Sequence, residues 1–173
     1  MSERVVFVVD PAASALLIEA RSTVGPIELA TASLTGRADV GLAGDELDAM
    51  AAPRASIELP VASLTSGNGL YDAEVRRRLD AQRFPMIKAE LGSAASLDGR
   101  HWSLDGDLTI HGTRRALSGR ADVRLISAQR LRIVGEQVID IRDFAISLPT
   151  TLMLRIYPDV MVRFRIEARR EAD

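Results

Sequence analysis

Strict alternation of apolar and polar residues constrains this chain more than any other feature. Near the C-terminus, Val160, Val162, Phe164, Ile166 and Ala168 share one face of an extended segment. Arg163, Arg165, Glu167 and Arg169 share the other, with Met161 alone out of phase. Successive side chains of a strand point to opposite sides, so the pattern describes a strand with one buried and one wet face. The same phase sets Leu117, Gly119, Ala121, Val123 and Leu125 against Ser118, Arg120, Asp122 and Arg124. It sets Trp102, Leu104, Gly106, Leu108 and Ile110 against Ser103, Asp105, Asp107 and Thr109. An earlier segment reads as a single strand, with Ala30, Ala32, Leu34, Gly36, Ala38 and Val40 facing inward.

Five further segments have strand character: Val5 to Val9, Ala15 to Ser22, Ser56 to Val61, Met86 to Leu91 and Arg130 to Val134. Turn signals separate them at Asp10-Pro11, Gly25-Pro26, Leu97-Asp98-Gly99 and His111-Gly112. About eight short strands with short connections predict an all-β, antiparallel up-and-down barrel or a sandwich, and closure into a barrel removes exposed edges. One helix is predicted over Tyr71 to Asp80, where Tyr71, Val75 and Leu79 recur every fourth residue, Asn68 or Ser66 can cap the start, and Pro85 closes the region. A second short turn is expected around Arg142 to Ala145.

At 173 residues, with no linker, repeat or low-complexity block, the chain reads as one domain over 1–173. A net charge of -2 gives no general attraction for nucleic acid or a bulk anionic membrane surface. The chain has no cysteine, which excludes disulfides, thiolate metal sites and cysteine nucleophiles. The opening apolar run, Val5 to Val9, is too short for a secretory core, and no stretch approaches a membrane-spanning length. A cytoplasmic location without stable membrane insertion is the expectation.

The inward faces are rich in small residues: Ala30, Ala32, Gly36, Ala38, Gly106, Gly119 and Ala121. Aromatics make up only 4% of the chain. A small barrel with a solid interior needs side-chain volume to fill it, so inward glycine and alanine leave space for an apolar ligand. Alternatively, these residues let a helix or a second sheet pack closely.

Four ordered stretches resemble one family. Asp105-Gly106-Asp107-Leu108-Thr109-Ile110-His111-Gly112-Thr113 resembles the most specific hairpin of the YceI family. Val9-Asp10-Pro11 through Ser14 is similar to that family's opening motif, with Ala13 where His is usual. Arg83-Phe84-Pro85-Met86-Ile87-Lys88-Ala89 and Asp140-Ile141-Arg142-Asp143-Phe144-Ala145-Ile146 match two more. A fifth family segment is shortened here to Tyr71 through Asp80, without its His or paired Phe. The resemblance implies a lipocalin-like barrel that carries a polyisoprenoid or similar lipid, with no catalytic machinery and no cofactor. Interior positions expected against such a ligand are Leu34, Gly36, Ala38, Leu59, Leu108, Ile110, Ala121, Val123, Val162 and Phe164.

Arg76, Arg77 and Arg78 form either a solvated helix face or a rim for an anionic head group, to which Arg76 and Arg78 would contribute. His111 reads as a turn residue bonded to nearby backbone, with a head-group contact as the alternative. No cluster of His, Asp and Glu at ligand spacing points to a metal. Asp105 and Asp107 imitate a catalytic pair, but their phase turns them to solvent. Two other functional classes remain open. One is a structural or interaction module with a filled interior, a homodimer by expectation; the other is an enzyme resting on His111 and those carboxylates.

Overall fold

The computed structural model describes residues 2–147, 150–151 and 154–172. In chain order the elements are β1 (Glu3–Val9), β2 (Ala15–Ser22), β3 (Gly25–Thr31), β4 (Thr35–Ala43), β5 (Glu46–Leu47) and β6 (Arg54–Pro60). Helix α1 (Gly69–Arg78) follows, then β7 (Met86–Ser96), β8 (His101–Ile110), β9 (Thr113–Ser127), β10 (Arg130–Asp140), β11 (Thr150–Thr151) and β12 (Leu154–Arg170). All strand pairings among the described residues are antiparallel, in the order β1-β4-β6-β7-β8-β9-β10-β12, and β12 returns to β1 through Val8 opposite Arg169. That contact closes an eight-stranded barrel and decides against a sandwich.

Two of the eight barrel strands are broken. β1 and β2 share the same edge of β12, β1 along Ala168–Arg170 and β2 along its N-terminal half. β4 pairs with β1, and β3 with β2. The expected single strand from Ala30 to Val40 is therefore two strands that differ in phase. Gly36, Ala38 and Val40 keep the inward phase in β4, whereas in β3 it is Ile27, Leu29 and Thr31 that are covered and Ala30 that is exposed. The break has a local cause. The Thr31 hydroxyl accepts the Ser33 N–H at 3.0 Å, a side-chain turn that competes with the ladder and shifts the pleat by one residue. Ala30 and Ala32 consequently face solvent rather than the interior.

Tight turns set the hairpins. β8 and β9 meet at His111-Gly112, with φ of 54° and 67°, the left-handed pair that a two-residue hairpin requires. A Cβ on Gly112 would lie 2.5 Å from the Phe84 ring, so glycine there also admits the ring. Gly36 and Gly106 mark close approaches of a different kind. A Cβ at either would come within 2.2 Å of a carbonyl oxygen on the neighbouring strand, Ser56 or Glu90 respectively. Their place in the inward phase reflects strong coiling of the sheet rather than spare volume.

Helix α1 starts two residues earlier than predicted. The Asn68 side chain accepts from the N–H groups of Leu70 (3.0 Å) and Tyr71 (3.4 Å), which satisfies two orphan donors of the first turn. Arg77 and Arg78 both reach back to Glu74, at 2.7 and 2.6 Å, and three arginines in the last turn complement the helix dipole. The predicted short turn is a 3-10 segment, Ile141–Phe144, capped by Asp140.

Candidate functional site

The interior is divided along the barrel axis. At the end that carries α1, two clusters fill it. Leu34, Leu59 and Leu64 form one, with Leu16, Ile18 and Val75 against it. Leu108, Ile110, Ile139 and Phe144 form the other, with Leu79, Ile87 and Val162 against it. In the opposite half a third cluster, Val5, Phe7, Ala38, Val40, Leu42, Leu131 and Ala168, packs beside a partly open cavity of about 290 Å³. Its inward lining comprises Trp102, Leu104 and Leu108 on β8, Leu117 and Val123 on β9, Ile133 on β10, Phe164 and Ile166 on β12, Ala38 and Val40 on β4, Ile57 on β6, and Leu91 and Ala94 on β7. Arg37, Ser56, Glu90, Asp105, Arg120 and Glu136 also border it, but they occupy the alternate, exposed positions of their strands. Alternation thus delivers an apolar interior inside a charged exterior.

One wall is not a strand. β6 pairs with β7 only as far as Ala55 opposite Leu91, whereas β7 runs on to Ser96. Leu47, Asp48, Ala51 and Pro53, on and just after β5, border the cavity on this side. The Ala51 methyl lies 2.4 Å from where a Cβ on Gly41 would be, so this segment is pressed against β4.

Two residues that carry polar groups line the cavity. Gln137 occupies an inward position of β10; its Nε2 donates to the Val138 carbonyl at 3.1 Å, and its Oε1 lies over Gly119. Trp102 is 5% exposed, and its indole Nε1 is buried without a hydrogen-bond partner among the described residues.

Of the ten interior positions expected against a ligand, Ala38, Leu108, Val123 and Phe164 border the cavity. Leu34, Leu59, Ile110 and Val162 belong to the filled end. Gly36 is pressed against the β6 backbone, and Ala121 is buried outside the cavity lining. The head-group candidates stand at the filled end. Arg78 donates to Glu74 and to the Ser147 carbonyl at 2.9 Å, and Arg76 is exposed. His111 Nδ1 donates to the Phe144 carbonyl at 3.3 Å, and its ring stands edge-on to Phe84 at 5.4 Å. None of the three borders the cavity. Asp105 and Asp107 lie outside the barrel, accepting from Ser118 and Arg114.

Sequence reasoning missed a polar cluster on the outer face. Glu167 was expected in water, yet its side chain is only 7% exposed. Burial alone pushes its carboxyl up; hydrogen bonds from Arg130, Arg165 and Arg132, with the charge of Arg132, overcome that and bring it down to about 2. Beside it, Asp10 is equally buried and receives Arg169 at 2.8 Å. The Ser14 hydroxyl accepts the Glu167 N–H at 3.0 Å and donates to the Asp10 carbonyl at 2.8 Å. These bonds stitch the β1–β2 break to β12. Only strand register could have revealed the cluster, because Arg130 and Arg132 come from β10. A separate carboxylate, Asp98, is held at about 2 by the backbone and side chain of His101 and the backbone of Arg100, in the exposed β7–β8 turn.

Among the described residues, no group of three or more His, Asp or Glu is placed to hold a metal ion, and no helix is long and apolar enough to cross a membrane.

A closed eight-stranded antiparallel barrel with an apolar cavity at one end places the molecule in the lipocalin-like class. Residues 7–168 match the YceI-like domain, and the chain belongs to that family. The fold is shared with three solved proteins. BcnA of Burkholderia cenocepacia superposes with a TM-score of 0.77 at 22% identity, over 92% of this chain and 99% of that one. A polyisoprenoid binding domain from Saccharophagus degradans, implicated in plant cell wall breakdown, gives 0.73 at 14%, over 96% and 99%. The Campylobacter jejuni YCEI protein gives 0.69 at 15%, over 84% and 86%. No curated protein matches the chain.

Proposed function

We propose that this protein binds and carries an apolar, lipid-like molecule in the barrel cavity, without catalysing its conversion. The observation that carries this reading is the apolar cavity of about 290 Å³ in the half of the barrel away from α1. A polar substrate would lose its hydration there and find few partners in return. The fold shared with a polyisoprenoid binding domain supports the same class of ligand. At about 25 cal/mol per Å², a ligand burying on the order of 300 Å² gains about 7 kcal/mol before the cost of immobilisation, which corresponds to micromolar or weaker affinity.

The residues assigned to the ligand are Ala38, Leu108, Val123 and Phe164 from the sequence reading, joined by Trp102, Leu104 and Leu117. Organic extraction of the purified protein, followed by mass spectrometry, tests the assignment. A stoichiometric apolar compound is expected. Protein that is consistently lipid-free and takes up no added lipid sinks it.

A further inference from the structure

The wall of the barrel is incomplete beside β7. Resting on the carrier reading above, we infer that the ligand enters and leaves sideways, through a gap between β5 and the C-terminal half of β7, and not through either end of the barrel.

Both ends are packed. The end under α1 is filled by the clusters around Leu34 and Phe144. At the other end the third cluster draws its buried residues from β1, β4, β10 and β12, with Val123 and Leu125 of β9 against it. Strands β7 and β8 supply nothing to that cluster, so the cavity lies on their side of the interior, against Leu91, Ala94 and Leu104.

On that side the ladder stops. β6 leaves β7 at Ala55 opposite Leu91, and Pro53, which has no N–H, cannot carry the pairing further. A register shift between Leu91 and Ser93 bends β7 at the same level. β1 occupies one edge of β4, so β5 lies along the other, in line with β6. β5 pairs with nothing else, and its outer edge is left toward the unpaired edge of β7 from Gly92 to Ser96. Among the described residues no hydrogen bond joins the segment 46–53 to 92–96. Backbone groups without a protein partner need water, so solvent reaches this gap.

The cavity extends to the same place. Leu47 and Leu42 pair on the inner face, so the next pair, Asp48 and Gly41, points outward. The Ala51 methyl lies 2.4 Å from the place of a Gly41 Cβ, and Arg4 Nη1 donates to the Ala52 carbonyl at 2.8 Å. The excursion from Ala49 to Pro53 is thus drawn over the outer face of β4, away from β7, and glycine at 41 gives it a seat. Asp48 and Ala51, on the outside, nonetheless line the same cavity as Leu104 and Val123 inside. A depression on the outer surface, bordered by Asp39, Arg54 and Gly92, shares Ala55 and Leu91 with it.

The chain has no cysteine, so a single one can be introduced into the full chain and labelled alone. Three variants carry it at exposed positions: Ser93→Cys beside the gap, Ile126→Cys near the β9–β10 turn at the barrel end, and Arg76→Cys on α1. Each is labelled with biotin maleimide and then loaded with streptavidin, a rigid block. The probe is N-phenyl-1-naphthylamine, an apolar dye that brightens out of water. Stopped flow follows it through energy transfer from Trp102, the only tryptophan, which lines the cavity. With the block at Ser93→Cys, dye association and dissociation should both slow by about tenfold or more. Equilibrium affinity should stay within about twofold, because obstructing a route alters rates and not end states. With the block at Ile126→Cys or Arg76→Cys, both rates should be unchanged. Exchange that slows as much at either of those positions as at Ser93→Cys, or at none of the three, overturns the inference and leaves the carrier reading standing. If the unaltered protein takes up no dye, both fall.

Discussion

The two halves of the barrel are built from the same alternating strands and are packed differently. The half under α1 is filled by leucine, isoleucine and phenylalanine drawn from strands, helix and 3-10 turns. In the other half a third cluster, centred on Phe7 and Leu131, shares the interior with a cavity walled by strands and the segment through Pro53. Three of the four family-like stretches converge on the filled half: Phe84 under Gly112, the His111-Gly112 turn, and Phe144, whose carbonyl holds His111. The fourth, Asp10 to Ser14, pins the broken strand to β12. What makes the family recognisable is therefore largely scaffold. Much of the cavity wall, including Ala94, Trp102, Leu117 and Ile133, comes from segments between those stretches.

This contrast is open to measurement. Phe144→Ala, in the filled half, should cost about 3–5 kcal/mol, whereas Leu117→Ala, which already borders empty space, should cost about 1–2 kcal/mol. Equilibrium urea unfolding of both variants checks it, and equal losses would show that the halves are packed alike. Next in size, Glu167→Gln removes the charge that three arginines surround and should cost about 1–3 kcal/mol.

Its pH dependence has a definite sign. The native Glu167 carboxyl is held at about 2, below its ordinary 4.5, so between those values the unfolded chain binds more protons. The stabilisation is complete above about 4.5 and is lost as pH falls toward 2. Unfolding of the native protein should therefore be steeper with acid over that window than that of the Gln variant. Parallel curves would remove Glu167 from the account.

The smallest stability effects belong to the hollow half and the helix surface. Ala94→Leu should fill part of the cavity with a stability change within about 0.5 kcal/mol while weakening uptake of an added apolar lipid, read by native mass spectrometry. Arg76→Ala, on the exposed helix face, should leave stability within about 0.5 kcal/mol and lipid uptake unchanged. A marked loss of uptake in Arg76→Ala would place the ligand against the helix.

Much of the architecture was legible in the residues. Ala15 to Ser22 was bounded as the structure has it, and the faces of β8, β9 and β12 were assigned in the right phase apart from Glu167. Two kinds of feature escaped. The phase slips at Asp10 to Ser14 and Ala32 to Leu34 arise from side-chain bonds inside the breaks, and no periodicity encodes them. The inward small residues looked alike in sequence, yet Ala38 borders a space while Gly36 meets a backbone carbonyl, a difference set by the neighbouring strand.

By itself the sequence determined which face of most strands is buried, because pleat geometry is local and the side-chain period is two. It also placed the turns, through glycine and proline, and through its motifs it carried the family. Tertiary structure alone decided closure of the barrel, burial of Glu167 beneath arginines from two strands, and division of the interior into a filled half and one that keeps a cavity beside its core. Each of these depends on which residues meet across register and around the ring, contacts that no single segment specifies.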